Sequence, residues 1–209
     1  MLKTVLFDFD GTIFELVLDW KGLIRWTCRT CFGCRYSRLG VYDFLVMYHN
    51  VLRHKLPREL ADRAHAEREK QELGGVERGH PMQGAREVVL GLGDKYKVGL
   101  VSANYRRTLK EGVKKMGLEG AFKVVVSVED VRYSKPDKLP ILAACKKLGC
   151  SPQEAVYVGD HPGDIEAARS AGAKSIILLG RRQRRDFPQE PDFFIASLGE
   201  LPDVLKKLD

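Results

Sequence analysis

Residues 4–12 read TVLFDFDGT, a short apolar run that ends in two acidic residues and a glycine. Further apolar runs of strand length follow at 98–101, 123–126, 155–158 and 175–179. Apolar runs without a polar alternate face are typical of strands that helices bury on both sides. The first run therefore predicts a strand of a parallel sheet, with its two acids at the strand tip.

Stretches with helical spacing separate these runs, and glycines follow several of them as stop signals. The predicted helices cover 84–92, 107–116, 138–148 and 164–171. Because strands and helices alternate, we expect an α/β fold, a Rossmann-like doubly wound parallel sheet with helices on both faces.

One long segment, 15–80, interrupts this alternation, because apolar and charged residues mix there at helical spacing without a strand-like run. We interpret it as an inserted small α-helical cap domain. The core then consists of 1–14 and 81–209, and the Gly-rich stretch 73–81 is predicted to be the hinge between the two.

Composition narrows the class of protein without deciding the function. The chain has 209 residues, and 35 basic against 28 acidic residues give a net charge of +7. No apolar run approaches the ~20 residues that cross a bilayer, and the first residues lack the pattern of a signal peptide. Five cysteines, an odd number, favour reduced thiols. We expect a cytoplasmic protein with an anionic partner, either nucleic acid or a small molecule.

Polar residues follow the predicted strands at the edge where ligands bind in open α/β sheets. They are Asp8, Asp10, Gly11 and Thr12 after the first run, Ser102, Ala103 and Asn104 after the second, and Gly159, Asp160 and Asp164 after the fourth. Converging carboxylates repel one another unless a cation lies between them. Oxygen ligands of this kind suit Mg²⁺, and Lys135, in a loop after the third run, would neutralise the remaining charge.

In this order DFDGT at 8–12, Ser102, Lys135 in SKPD, and GDHPGD at 159–164 resemble the four signature motifs of the haloacid dehalogenase superfamily. The resemblance covers the whole chain, and the long first gap is where one branch inserts a helical cap. Within the superfamily the phosphoglycolate phosphatases look most similar. The second acid of DFDGT favours phosphatase chemistry over dehalogenation.

The resemblance implies a role for each motif residue. Asp8 would be the nucleophile that forms an aspartyl-phosphate, and Asp10 the general acid and base. Thr12, Ser102, Ala103, Asn104 and Lys135 would bind the phosphoryl group, with Ser102 and Lys135 also catalytic. Mg²⁺ would be held by Asp8, Asp160 and the backbone carbonyl of Asp10, while Asp164 would orient the ligands or Lys135.

The expected substrate is a small phosphorylated metabolite, hydrolysed by a monomer or homodimer, and substrate choice is expected to lie in the cap. A phosphomutase would carry the same four motifs and stays open. A nucleic-acid-binding protein on this fold also stays open, although the basic run 181–185 lacks an aromatic or helical recognition pattern. If the protein does not bind nucleic acid, this run is expected either to aid solubility or to attract an anionic substrate.

Three cysteines of the cap, Cys28, Cys31 and Cys34, have a spacing that allows two interpretations. They would pack in the core of the cap, or they would bind a structural metal with His49 or His54 as a fourth ligand. Helical spacing favours packing. We expect His161 to face away from the metal, and Phe9, between the two acids, to point into the core.

Overall fold

The computed structural model describes residues 1–33 and 55–208. Six strands form one parallel sheet in the order β5-β4-β1-β6-β7-β8. Their bounds are β1 Thr4–Phe7, β4 Lys97–Val101, β5 Val124–Val126, β6 Ala155–Gly159, β7 Lys174–Leu178 and β8 Phe193–Ile195. The α/β Rossmann-like fold expected from the sequence is thus confirmed, and the five predicted strands agree with the structure to within a residue or two.

Helices cover both faces of the sheet, as continuous apolar strands require. They are α3 Ala85–Leu92, α4 Arg106–Lys115, α5 Leu139–Leu148, α6 Pro162–Ala171 and α7 Leu201–Leu208. Strand β1 contributes side chains to both faces of the sheet. Val5 and Phe7 pack with α3, α4 and α7, whereas Leu6 packs with α5 and α6. Strand β8 and helix α7 were absent from the sequence prediction.

The inserted segment leaves and re-enters the core through a two-stranded antiparallel ribbon. Its strands are β2 Phe14–Glu15 and β3 His80–Pro81, which pair Phe14 with Pro81 and Glu15 with His80. The predicted boundaries of the cap fall within this ribbon. The division into two domains itself stays a prediction.

Two helices of the cap lie in the described part of the chain, α1 Trp20–Phe32 and α2 Arg58–Arg78. They pack through a small apolar cluster that includes Ile24, Cys28 and Ala64. Cys31 is buried in the same cluster, which agrees with the packing interpretation of these thiols. Cys34, His49 and His54 lie outside the described residues.

The hinge predicted at 73–81 is wrong for most of its length. Helix α2 continues through Gly74 and Gly75 to Arg78, and the chain leaves it only at Gly79, whose extended backbone leads into β3. The sequence signal was misleading because Gly75 has a packing role. A Cβ there would lie 2.8 Å from Leu18 Cδ2, so glycine lets the chain that enters the cap pass close to α2.

Candidate active site

Three neighbouring strands deliver the motif residues to one edge of the sheet. Strand β1 lies between β4 and β6 in parallel register, so their carboxyl ends are adjacent. Asp8, Ser102 and Asp160 each follow directly after one of these strands. The structure therefore brings together the strand-end residues that the sequence predicted.

The Lys135 ammonium is the centre of the site. Its Nζ donates to Asp8 Oδ2 at 2.8 Å, to Asp164 Oδ1 at 2.7 Å and to the Tyr157 hydroxyl at 2.8 Å. Burial alone would lower the pKa of Lys135, but the carboxylates of Asp164 and Asp8 outweigh it and hold that pKa well above its usual value. Lys135 therefore carries a fixed positive charge beside Asp8.

A group of three carboxylates, Asp8, Asp160 and Asp164, offers oxygen atoms that all lie within 4.8 Å of one another. Asp8 is only 7% exposed, and its Oδ1 is buried without a hydrogen-bond partner among the described residues. An unpaired buried carboxylate oxygen is costly unless a cation or donor meets it. This oxygen and the hard-donor set fit a divalent cation such as Mg²⁺.

Asp164 is held by contacts to both of its oxygens. Oδ1 accepts from Lys135, and Oδ2 accepts the backbone N–H groups of Asp160 at 3.0 Å and His161 at 2.9 Å. Asp164 is the third residue of α6, and His161 is its N-cap, with its Nδ1 accepting from Gly163 N–H at 3.3 Å. With both oxygens occupied, Asp164 is better placed to orient its neighbours than to bind a cation itself.

Asp10 lies past the end of β1, and the chain that leads into the cap fixes its side chain. Its Oδ1 accepts the Leu16 N–H at 2.9 Å. Burial raises the pKa of Asp10 well above its usual value, against the Leu16 hydrogen bond, and the charges of Asp160 and Asp8 add to the rise. A carboxyl whose pKa is raised holds its proton more readily, which suits a general acid.

The Asp160 carboxylate accepts hydrogen bonds from two other parts of the site. Its Oδ1 accepts from the Thr12 hydroxyl at 3.4 Å, and its Oδ2 accepts from Arg182 Nη1 at 2.5 Å. Gly11, with φ +79°, permits this approach, because a Cβ there would lie 2.6 Å from Asp160 Oδ2. Burial, followed by the charges of Asp164 and Asp8, raises the pKa of Asp160 to about 7. A bound cation would favour the ionised form.

The segment after β4 forms a buried polar loop. Ser102 Oγ donates to Asn104 Oδ1 at 2.8 Å, and the Asn104 N–H donates to Ser102 Oγ at 3.4 Å. Both residues are at most 5% exposed. Ala103, between them, accepts a hydrogen bond through its backbone carbonyl from Arg68 of helix α2. The loop is thus shaped by its own side chains and by the cap.

Sequence reasoning missed three side chains, Tyr157, Arg68 and Glu72, and it named Arg182 only as part of the basic run 181–185. Tyr157 is fully buried in β6, where it accepts from Lys135 and donates to the Val101 carbonyl at 2.8 Å. Its signal was a single hydroxyl in an otherwise apolar run. Arg182 lay in a basic run that sequence alone could place only on this side of the sheet. Arg68 and Glu72 resemble an ordinary helix-surface pair.

Comparison with known proteins agrees with this geometry. The family model of haloacid dehalogenase-like hydrolases matches residues 5–178. The pyrophosphatase PpaX of Bacillus cereus is 28% identical over 215 aligned positions, covering 100% of this chain and 98% of the relative. PpaX of Halalkalibacterium halodurans is 26% identical and covers 98% of this chain and 97% of the relative.

Solved structures share the fold over nearly the whole chain. A predicted phosphoglycolate phosphatase of Haemophilus somnus has a TM-score of 0.71 at 18% identity, covering 98% of each chain. A phosphatase of Thermococcus onnurineus has a TM-score of 0.66 at 24% identity, again covering 98% of each chain. The motifs, the site they form and the family match agree, and this chain belongs to the haloacid dehalogenase-like hydrolases as a phosphatase.

Proposed function

We propose that this phosphatase is Mg²⁺-dependent and hydrolyses a small phosphorylated metabolite through an aspartyl-phosphate. The observation that carries the proposal is the environment of Asp8. One of its oxygens is fixed by Lys135 at 2.8 Å, and the other is buried without a partner among the described residues. An oxygen of the Asp8 carboxylate also lies within 4.8 Å of one from Asp160. This arrangement suits a carboxylate nucleophile beside a cation.

In the first step an Asp8 oxygen attacks phosphorus, and the bond from phosphorus to the leaving oxygen breaks. Asp10 donates its proton to that leaving oxygen, for which its raised pKa supports the protonated form. Lys135 offsets the negative charge that builds up on the phosphoryl oxygens, and Ser102 with the loop after it binds those oxygens. The products of this step are the free alcohol or phosphate leaving group and phosphorylated Asp8.

In the second step Asp10, now ionised, takes a proton from water. The water oxygen attacks phosphorus, the phosphorus bond to Asp8 breaks, and inorganic phosphate leaves with Asp8 restored. Asp8, Asp160 and the Asp10 backbone carbonyl would hold Mg²⁺, which supplies charge neutralisation and orientation of the phosphoryl group when bound. Asp164 would keep Lys135 and the Asp160 backbone in place, as its hydrogen bonds indicate.

The names of the similar proteins point to different substrates. Full-length relatives are named pyrophosphatase, and one structural neighbour is a predicted phosphoglycolate phosphatase. Arg182, which touches Asp160 and is 40% exposed in its side chain, offers a cation for a second phosphate or a carboxylate. Inorganic pyrophosphate and phosphoglycolate are therefore the first two compounds to compare.

The test is a phosphate-release screen over phosphorylated metabolites, pyrophosphate and an aryl phosphate, with Mg²⁺ and with a chelator. Asp8→Asn should abolish release, because an amide oxygen is a poor nucleophile and cannot be phosphorylated and hydrolysed in the same cycle. Asp94→Asn, an exposed carboxylate elsewhere on the chain, is the control and should act as wild type. Undiminished release by Asp8→Asn, or by the wild type in chelator, would contradict the proposal.

A further inference from the structure

Helix α2 of the cap contains a charged pair that is buried although its spacing is that of a surface pair. Arg68 and Glu72 are 4% and 0% exposed, and Arg68 Nε lies 2.9 Å from Glu72 Oε1. On the same helix Arg58 and Asp62 have the same i, i+4 spacing but are exposed, with a distance of 3.9 Å. Burying charges is expensive unless the pair makes further good hydrogen bonds.

Those further bonds go to the loop that follows β4. Arg68 Nη2 donates to the Ala103 carbonyl at 2.9 Å, and the Tyr105 backbone N–H donates to Glu72 Oε2 at 3.0 Å. The Arg68 guanidinium also lies over the Tyr105 ring, 5.4 Å from its centre. The pair therefore hydrogen-bonds to the main chain on both sides of Asn104.

These hydrogen bonds hold the loop 102–105, and the backbone of that loop determines where the Ser102 and Asn104 side chains lie. Tyr105 is the N-cap of α4, and no side chain of the helix start caps its own first turn there. A buried N–H at such a position needs an acceptor, and Glu72 of the cap supplies it. Without Arg68 and Glu72, the Ala103 carbonyl and the Tyr105 N–H would lose these partners. The loop would then be held less firmly, through bonds such as those of the Ser102 N–H to the Val126 carbonyl and of the Val128 N–H to the Asn104 carbonyl.

We propose that Arg68 and Glu72 are a positioning pair that holds the loop 102–105 in its phosphate-binding shape from the cap. The inference rests on the proposed function, because it assigns phosphoryl binding to this loop. It adds that the cap contributes to phosphate affinity through the backbone of the loop, without contacting the substrate. The two side chains act through Ser102 and its neighbours, so they are not catalytic residues.

The test replaces both charges together, with Arg68→Met and Glu72→Leu in one variant. Apolar replacement of a whole buried ion pair is often neutral in stability, so loop shape can be separated from folding. The matched control is Arg58→Met with Asp62→Leu, which removes the exposed pair of equal spacing from the same helix. Two quantities are measured on the full chain: amide hydrogen exchange over 102–108, and competitive inhibition by inorganic phosphate.

We expect the amide of Tyr105 to exchange about tenfold faster or more in the buried-pair variant, the effect of one lost hydrogen bond to a charged acceptor. The inhibition constant of inorganic phosphate should rise by a similar factor, with a larger effect on KM than on kcat. Arg68→Met with Glu72→Gln keeps an amide oxygen for the Tyr105 N–H and should restore part of the protection. The control variant should match the wild type in both quantities.

Unchanged exchange at Tyr105, or unchanged phosphate inhibition, would overturn the positioning role. Weaker phosphate binding in Arg68→Met alone with wild-type exchange over 102–108 would also overturn it, because Arg68 would then contact the anion directly. If the wild type releases no phosphate from any compound, the proposed function fails. The exchange comparison between the two double variants would still decide whether the pair shapes the loop.

Discussion

One buried cluster of charged side chains lies in the core and another lies in the cap. The two clusters differ in how acidic and basic groups offset the free-energy cost of burying charge. In the core, Lys135 and Arg182 contact the three carboxylates Asp8, Asp160 and Asp164, so acid exceeds base. In the cap, Arg68 and Glu72 are balanced one to one.

The atoms without hydrogen-bond partners differ in the same way. In the core cluster the unpartnered oxygen, as far as the described residues show, is Asp8 Oδ1, an acceptor. In the cap cluster Arg68 Nη1, Arg68 Nε and Glu72 Oε1 make no hydrogen bond among those residues, but Nε and Oε1 face each other at 2.9 Å as an ion pair, so the acceptor there has a cation beside it. An unmatched acceptor among excess acids is what a cation site requires, whereas a balanced pair bonded to backbone atoms stabilises a shape. The comparison separates a region built for chemistry from one built for support.

A large effect on turnover without loss of stability is expected at Asp10, beside the core cluster. Asp10→Asn should lower kcat for phosphate release by roughly 10²–10⁴-fold, because the leaving oxygen loses its proton donor. The melting temperature should not fall, since burial already favours the neutral form of this side chain. Steady-state kinetics and thermal unfolding check both points. Glu15→Gln, which changes the next carboxylate along the chain, is the control, and equal kinetics for the two variants would contradict the role of Asp10.

Removing the central cation tests whether the core cluster is acid-rich. Lys135→Met leaves Asp8 and Asp164 without their shared partner and should reduce the free energy of unfolding by about 3–5 kcal/mol. Phosphate release should also be lost. Because the remaining acids repel, Mg²⁺ should raise the melting temperature of this variant more than that of the wild type.

Arg68→Met provides the comparison for this result. It leaves Glu72 buried without its ion-pair partner and should cost a similar free energy of unfolding, about 3–5 kcal/mol. Mg²⁺ should stabilise the Arg68→Met variant no more than it stabilises the wild type. The cap cluster of this variant keeps the Glu72 carboxylate but has no second carboxylate close to it that could bind the same cation. Equal Mg²⁺ responses of Lys135→Met and Arg68→Met in thermal unfolding would remove the distinction between the two clusters.

A second attachment of cap to core should give a smaller effect. Lys115 Nζ of α4 donates to the carbonyls of Val76, Glu77 and Gly79 at 2.8–2.9 Å, where helix α2 ends. A cation at a helix C-terminus also interacts favourably with the helix dipole. Lys115→Met should therefore cost about 1–2 kcal/mol in the free energy of unfolding, measured by denaturant titration. Lys114→Met, at the exposed neighbouring position, should be near neutral; an equal loss would contradict this attachment.

The smallest expected effect provides a reference outside both clusters. Burial alone would raise the pKa of Asp130, but hydrogen bonds from Ser127 and the charges of Arg106 and Lys147 hold it below its usual value near 3.8. Its stabilisation is therefore full above about pH 4 and is lost as the pH falls through the lowered value. The difference in unfolding free energy between wild type and Asp130→Asn, about 1 kcal/mol or less, should shrink from pH 6 to pH 3. A difference that grows on acidification would contradict this assignment.

The sequence predicted the core better than the cap because the core strands carry a strong physical signal. Continuous apolar runs identified five of the six strands, and the acids at their ends followed from the parallel arrangement. Strand β8 has three residues, as β5 has, but it follows directly after Pro191 and Asp192, which are typical of a turn, and it was not recognised. The ribbon strands β2 and β3 have two residues each, so no periodicity exists to detect.

Charge pattern alone could not separate the two pairs of helix α2. Arg58 with Asp62 and Arg68 with Glu72 share their spacing and chemistry, yet one pair is exposed and the other buried. What differs is the loop 102–105, which approaches only the second pair and lies more than thirty positions away in sequence. Tyr157 was missed for the same reason, because its partners Lys135 and Val101 come from other segments of the chain.

The ribbon of β2 and β3 also bears on how such a protein can change over time. Since Glu15 pairs directly with His80, the two ends of the intervening segment stay side by side whatever its length. Insertions, deletions or exchange of that segment can therefore leave the strand ends and their acids in place. Such an exchange removes the hydrogen bonds between α2 and the loop 102–105. A transplanted segment must therefore supply its own partners for the Ala103 carbonyl and the Tyr105 N–H.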